Sequence, residues 1–138
     1  MKSITFPNVC VRLILDGNKT QTRRLGDTCR YKVGDRVYVR ESHIHLEITD
    51  VRAEHLQDIS DEDAVAEGIR PMVGFDFDAP KGRDAVYNSP ISELYYGTPQ
   101  EAYSAWWDHI YAKKPEVQWD KNPWVWAIGF KVIGAKEK

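Results

Sequence analysis

The chain has 138 residues and a mass of 15.9 kDa, enough for one hydrophobic core and too little for two. With 42% hydrophobic residues, no long apolar run and no charged-then-apolar leader, nothing points to a membrane span or export; a single cytoplasmic domain over residues 1–138 is predicted. The net charge of −2 argues against a protein that coats nucleic acid by bulk electrostatics, yet residues 1–40 carry nine Lys/Arg against three Asp/Glu. Such a basic N-terminal lobe suits local contact with a phosphate or a small anionic ligand.

Ser3 to Phe6 reads as a first strand, and Pro7 opens a helix in which Val9, Cys10, Leu13 and Ile14 recur at helical spacing until Gly17. The octet Gly17-Asn18-Lys19-Thr20-Gln21-Thr22-Arg23-Arg24 follows at a helix-to-strand junction. Alternation places Thr20, Thr22 and Arg24 on one side of an extended strand and Lys19, Gln21 and Arg23 on the other, although a lysine at the turn can swing to either face. Gly34-Asp35 marks a turn before the half-buried strand Arg36 to Glu41, and Ile44, Leu46 and Ile48 continue the alternation into a strand ending near Leu56. Ser60 to Asp63 resembles a capping box for a short helix closed by Gly68, with Glu67 in the last turn, where the helix dipole disfavours a carboxylate. Glu67 is then either exposed or supplied with a cationic partner.

Residues 69–97, punctuated by Pro71, Gly74, Pro80, Gly82, Pro90 and Gly97, predict a long irregular excursion of the kind that covers or shapes a site. Thr98-Pro99-Gln100-Glu101 is a helix start with N-cap, N1 proline and capping-box glutamate, followed by the stripe Ala102, Trp106 and Ile110 flanked by Tyr103 and Trp107. The last element, Trp124 to Ile133, alternates Trp124, Trp126, Ile128, Phe130 and Val132 with smaller residues. The fold expected is α+β, a compact mixed barrel of about five or six strands with two or three helices.

Lys19 is a usable base where burial or a cationic neighbour lowers its pKa, and a threonine hydroxyl needs such a base to act as a nucleophile. On residue types alone, a basic strand with solvated side chains explains the octet as well. Cys10 and Cys29 lack Cys-x-x-Cys spacing, and His43 and His45 share a strand face without an evident third ligand, so neither a metal nor a cofactor is expected.

In order, the helix, Gly-x-Lys-Thr-x-Thr-x-Arg, Gly34-Asp35 with Val-Tyr-Val-Arg-Glu, Ala64-x-x-Glu67-Gly68 and the closing Asn122-Pro123-Trp124-Val125-Trp126 resemble an ASCH domain of the bacterial and bacteriophage type over nearly the whole chain. That resemblance implies a PUA-like barrel with a cleft near the Gly-x-Lys-Thr segment. Some small bacterial members are amidohydrolases that remove the acetyl group of 4-acetylcytidine with a lysine, a threonine and a glutamate, which fall here on Lys19, Thr22 and Glu67. Thr22 would attack the acetyl carbonyl, with Lys19 and Glu67 dividing the proton transfers. Other ASCH proteins are RNA-binding modules or ribonucleases, so the alternative is an RNA partner held through the basic lobe. Expected substrate-binding residues are Thr20, Arg23, Arg24, Arg40, Glu41 and Tyr95: the arginines for a phosphate or an oxyanion, Glu41 as a site acid or the ion-pair partner of a strand arginine, and Tyr95 against a nucleobase from the excursion. The sequence departs from the small amidohydrolases at Arg23 beside Arg24, in the length of the excursion, and at Gly129, where an acidic residue is usual.

Overall fold

The computed structural model describes residues 2–72, 86–91 and 94–135. Its elements in chain order are β1 (Lys2–Ile4), α1 (Asn8–Leu15), β2 (Gln21–Arg24), β3 (Arg36–Val39), β4 (Ile44–His55), α2 (Asp61–Glu67), β5 (Arg70–Met72), β6 (Val86–Asn88), α3 (Pro99–Ile110) and β7 (Trp124–Ala135). Single 3-10 turns lie at Leu56–Asp58, Pro115–Val117 and Trp119–Lys121.

The sheet runs β1-β3-β4-β7-β2, with β1 parallel to β3 and every other pair antiparallel. Its spine is the long pairing of β4 with β7, whose register shifts between His45 and Leu46 and again between Ile48 and Asp50. At the second shift the ladder passes Gly129, where an added Cβ would meet Thr49 Oγ1 at 3.2 Å and Asp50 Cβ at 3.3 Å. The bulge therefore favours glycine at this position.

The expected barrel does not close. Backbone ladders require strands about 5 Å apart, and between the two edge strands lies instead a cleft of about 290 Å³ that both line. Side chains bridge the gap: Arg24 Nη2 donates to Thr5 O at 2.9 Å, and Tyr31, in the loop after β2, donates its hydroxyl to Ser3 O at 2.7 Å.

The excursion over residues 69–97 is not wholly irregular. β5 and β6 pair antiparallel as a separate two-stranded sheet, and Tyr87 and Tyr96 exchange backbone hydrogen bonds. Residues 73–85, 92 and 93 of that segment lie outside the described residues.

The helix signals acted as their chemistry predicts. Ser60 Oγ accepts from Asp63 N at 3.0 Å to start α2, and Thr98 Oγ1 accepts from Glu101 N at 3.1 Å to start α3. Gly68 ends α2 at φ +125°, and a Cβ there would lie 3.0 Å from Leu13 Cδ1. The backbone angle therefore favours glycine, and any added Cβ would also need the Leu13 side chain to give way. α2 packs on α3 and on β2, and α1 on β7. One contiguous core runs from Ile4 and Ile14 through Val37, Leu46 and Ile48 to Trp106, Trp107 and Phe130. β7 is covered on both faces over Ala127–Phe130, whereas Trp124 is exposed and stacks on His55 with ring centroids 3.9 Å apart.

Candidate active site

Among the described residues the buried polar side chains are Lys19, Thr22, Arg23, Glu67 and Ser89, and the first four, each 2% to 6% exposed, line one cavity of about 390 Å³. Its volume is in the range of small-molecule sites, ~300–1,000 Å³. The backbone fixes the arrangement. Asn18 N and Lys19 N donate to Leu13 O at the end of α1, and Thr20 N donates to Ala66 O in α2, so the lysine sits between two helix ends before β2 begins. Because Lys19 precedes the strand, the alternation of β2 does not constrain it.

Lys19 Nζ donates to Glu67 O at 2.8 Å and to Glu67 Oε1 at 3.0 Å. Its ammonium also lies 5.4 Å from the ring centroid of Trp106 and 5.9 Å from that of Phe6. Glu67 Oε2 accepts from Arg23 Nη1 at 3.0 Å. The carboxylate that the helix dipole opposes thus has two cationic partners, which supply the attraction its position and burial require. Arg23 continues to Glu54 Oε2 at 2.8 Å, Asp63 Oδ2 at 3.3 Å and Gln21 Oε1 at 2.9 Å. Arg52 bonds Asp63, Glu54 and Asp50 from the outer side. Burial alone would lower the pKa of the Arg23 guanidinium, but the charge of Glu67 and the bond to Glu54 outweigh it and raise it.

On the other face of β2, Thr22 Oγ1 accepts from Arg24 Nε at 3.1 Å, and the Arg24 guanidinium lies 4.9 Å over the Phe6 ring. Lys19 and Thr22 share the cavity, but Lys19 makes both its hydrogen bonds to Glu67 and none to Thr22. The remaining wall is largely aromatic, from Phe6, Trp106, Trp107 and Tyr111. Tyr103 adds a phenol whose pKa is held well above its ordinary value, first by burial and then by the charge of Glu67, so it stands as a neutral hydroxyl donor. Cys10 also lines the cavity. Burial pushes its thiol up, against the pull of Lys19.

Lys19, Thr22, Arg23, Arg24 and Glu67 are therefore brought together. Thr20 is not: its side chain is exposed beside a different hollow, near Gly17 and Phe130. Arg40 lines the cleft between the sheet edges, with Arg24 but not with Glu67. Glu41 is exposed just past β3 at φ +62°, and Tyr95, also exposed, lies outside the cavity wall. Phe6, Tyr103 and Tyr111 were not expected at the site; as aromatics at helical or strand spacing they carry only a core signal in sequence. Among the described residues no three His, Cys, Asp or Glu side chains gather as metal ligands, and no helix is long and apolar enough to cross a membrane.

The α+β frame, with its buried Lys-Thr-Glu cavity at a helix-to-strand junction, has an ASCH-like fold. An ASCH domain from Lactobacillus crispatus superposes with a TM-score of 0.58 at 18% identity, over 95% of this chain and 78% of that one. Protein EF3133 from Enterococcus faecalis, of family DUF984, gives 0.61 at 13% identity over 100% and 84%, and the hypothetical protein PH0355 gives 0.57 at 17% over 96% and 100%. At these identities the likeness is one of fold. No family model and no curated protein matches the chain.

Proposed function

We propose that this chain hydrolyses an acyl amide on a modified nucleoside, of the 4-acetylcytidine type, with Thr22 as nucleophile. The observation that carries this reading is the convergence of Lys19, Thr22 and Glu67, buried, on one aromatic-walled cavity. The aromatic wall suits a pyrimidine ring. With Lys19 as the neutral amine, Thr22 Oγ adds to the acetyl carbon while Lys19 Nζ takes its proton, and the carbonyl oxygen takes the negative charge. Tyr103, which lines the same cavity, is in this reading the hydroxyl donor to that oxyanion. The carbon–nitrogen bond then breaks, the amine leaves with the proton held by Lys19, and water releases acetate from the acyl-threonine. Glu67 accepts Lys19 at Oε1 and Arg23 at Oε2, and in this reading it positions Lys19 while Lys19 carries the proton. In free enzymes such catalytic bonds are often long and tighten when substrate binds, which is the movement required of Lys19 toward Thr22.

Incubating the purified protein with 4-acetylcytidine and following cytidine by chromatography tests the reading. Wild type should turn over, Thr22→Val and Lys19→Met should not, and absence of turnover by correctly folded wild type overturns it.

A further inference from the structure

The basic lobe divides into neutralised and free charge. Lys2 pairs with Asp35, Lys19 with Glu67, and Arg23 with Glu54, Asp63 and Glu67. Arg24, Arg30 and Arg40 form no ion pair among the described residues, and all three line the cleft between the sheet edges, whose described lining contains no carboxylate. Arg12, Lys32 and Arg36 also lack an ion pair, but they line neither hollow, so convergence in a concave place is what sets the three arginines apart.

One of the three is held by hydrogen bonds, and a second rests on an aromatic ring. Arg24 is fixed by Thr22 Oγ1, Thr5 O and the Phe6 ring, and the Arg30 guanidinium lies 5.3 Å over the ring of Tyr31, itself tied to Ser3 O. A guanidinium already oriented loses little freedom on binding an anion. The hydroxyl of Thr28 and the indole of Trp126 complete the wall, a donor and a flat apolar surface beside three cations. Three guanidiniums without an acid match a group with more than one negative charge, which is phosphate chemistry. The cleft and the aromatic cavity share Thr5 and Arg24 and no other residue, so the bridge between those two is the wall between the hollows.

We infer that the cleft lined by Arg24, Arg30 and Arg40 is a phosphate subsite for the same ligand whose base enters the aromatic cavity, making the substrate class a phosphorylated nucleoside. This rests on the reading of that cavity as a nucleoside site. The phosphate belongs either to a free nucleotide or to an RNA strand, and the chemistry at the arginines is the same.

Calorimetric titration of wild type with cytidine, cytidine 5′-monophosphate and a short cytidine-containing oligoribonucleotide tests it without requiring turnover. A phosphate-bearing ligand should bind at least about tenfold more tightly than cytidine, as expected for charge-assisted bonds, and the advantage should shrink as salt rises. The side chains of Arg30 and Arg40 make no hydrogen bond among the described residues, so Arg30→Gln/Arg40→Gln should fold, as circular dichroism will check. This double variant should lose the advantage and keep the cytidine affinity. An advantage seen with the monophosphate identifies a nucleotide, and one confined to the oligoribonucleotide identifies a strand. Equal binding of all three ligands by wild type, or an undiminished advantage in the double variant, overturns the subsite. A protein that keeps the phosphate advantage but never deacetylates loses the hydrolase reading alone, and one that deacetylates without any phosphate advantage loses the subsite alone.

Discussion

The two faces of β2 alternate along four consecutive residues and are built on opposite plans. Gln21 and Arg23 point into a network in which each charge meets its opposite, through Glu54, Asp63 and Glu67. Thr22 and Arg24 point to a side where the arginine meets a hydroxyl, a carbonyl and an aromatic ring, and no acid. One face has consumed its charge in holding the fold and the lysine together. The other has kept charge available for something outside the chain. Adjacent arginines of identical chemistry therefore carry different duties, and the difference lies in the carboxylates brought to one of them by β4 and α2.

The contrast breaks if Arg23 and Arg24 prove interchangeable for stability. Arg23→Gln leaves Glu67, Glu54 and Asp63 without their shared partner, and chemical denaturation should show a loss of about 3–5 kcal/mol. Arg24→Gln removes two hydrogen bonds and a ring contact, and the same measurement should show about 1–2 kcal/mol. Equal losses would mean that the second arginine is structural as well. Ser60→Ala, which removes the N-cap of the helix that delivers Asp63 and Glu67, should cost about 1 kcal/mol in thermal or denaturant unfolding. The smallest effect is one of pH. Partial burial pushes the Asp63 carboxyl up, but the Gln21 hydrogen bond and the charges of Arg23 and Arg52 bring it net below its ordinary value. A group depressed in the folded state adds stability that is complete above its unfolded pKa and disappears as pH falls through the folded one. Unfolding midpoints should therefore decline below about pH 4, and Asp63→Asn should flatten that decline. An unchanged slope would remove Asp63 from the paired face.

Much of this arrangement was legible in the residues. Glu67 at the wrong end of its helix left two readings, exposure or a cationic partner, and the period-two alternation separated Thr22 and Arg24 from Gln21 and Arg23. Ser60, Thr98 and the glycine after Glu67 are local signals and set local structure. What was not legible is non-local. Whether β1 and β2 meet depends on the curl of strands that pair across more than a hundred residues, so an open sheet with a cleft was read as a closed barrel. Arg30 sits in a loop with no periodicity to report its direction. Tyr103 and Trp106 read as core because a stripe that faces a cavity and one that faces a helix look alike in sequence. Arg40 and Glu41, neighbours in a strand motif, part where the backbone turns at Glu41.

The contact between Lys19 and the end of α2 also bears on which hydrogen can move. An ammonium carries three equivalent hydrogens on a freely turning group. Here one is directed at a backbone carbonyl and another at a carboxylate oxygen of the same residue, Glu67, leaving a single hydrogen without an acceptor among the described residues. A neutral amine retains two N–H bonds, enough to keep both contacts, so loss of the third proton leaves the lone pair along that remaining direction. Glu67 thereby sets the nitrogen's orientation before any substrate arrives, and the movement toward Thr22 that the proposed reaction requires must be made against these two bonds.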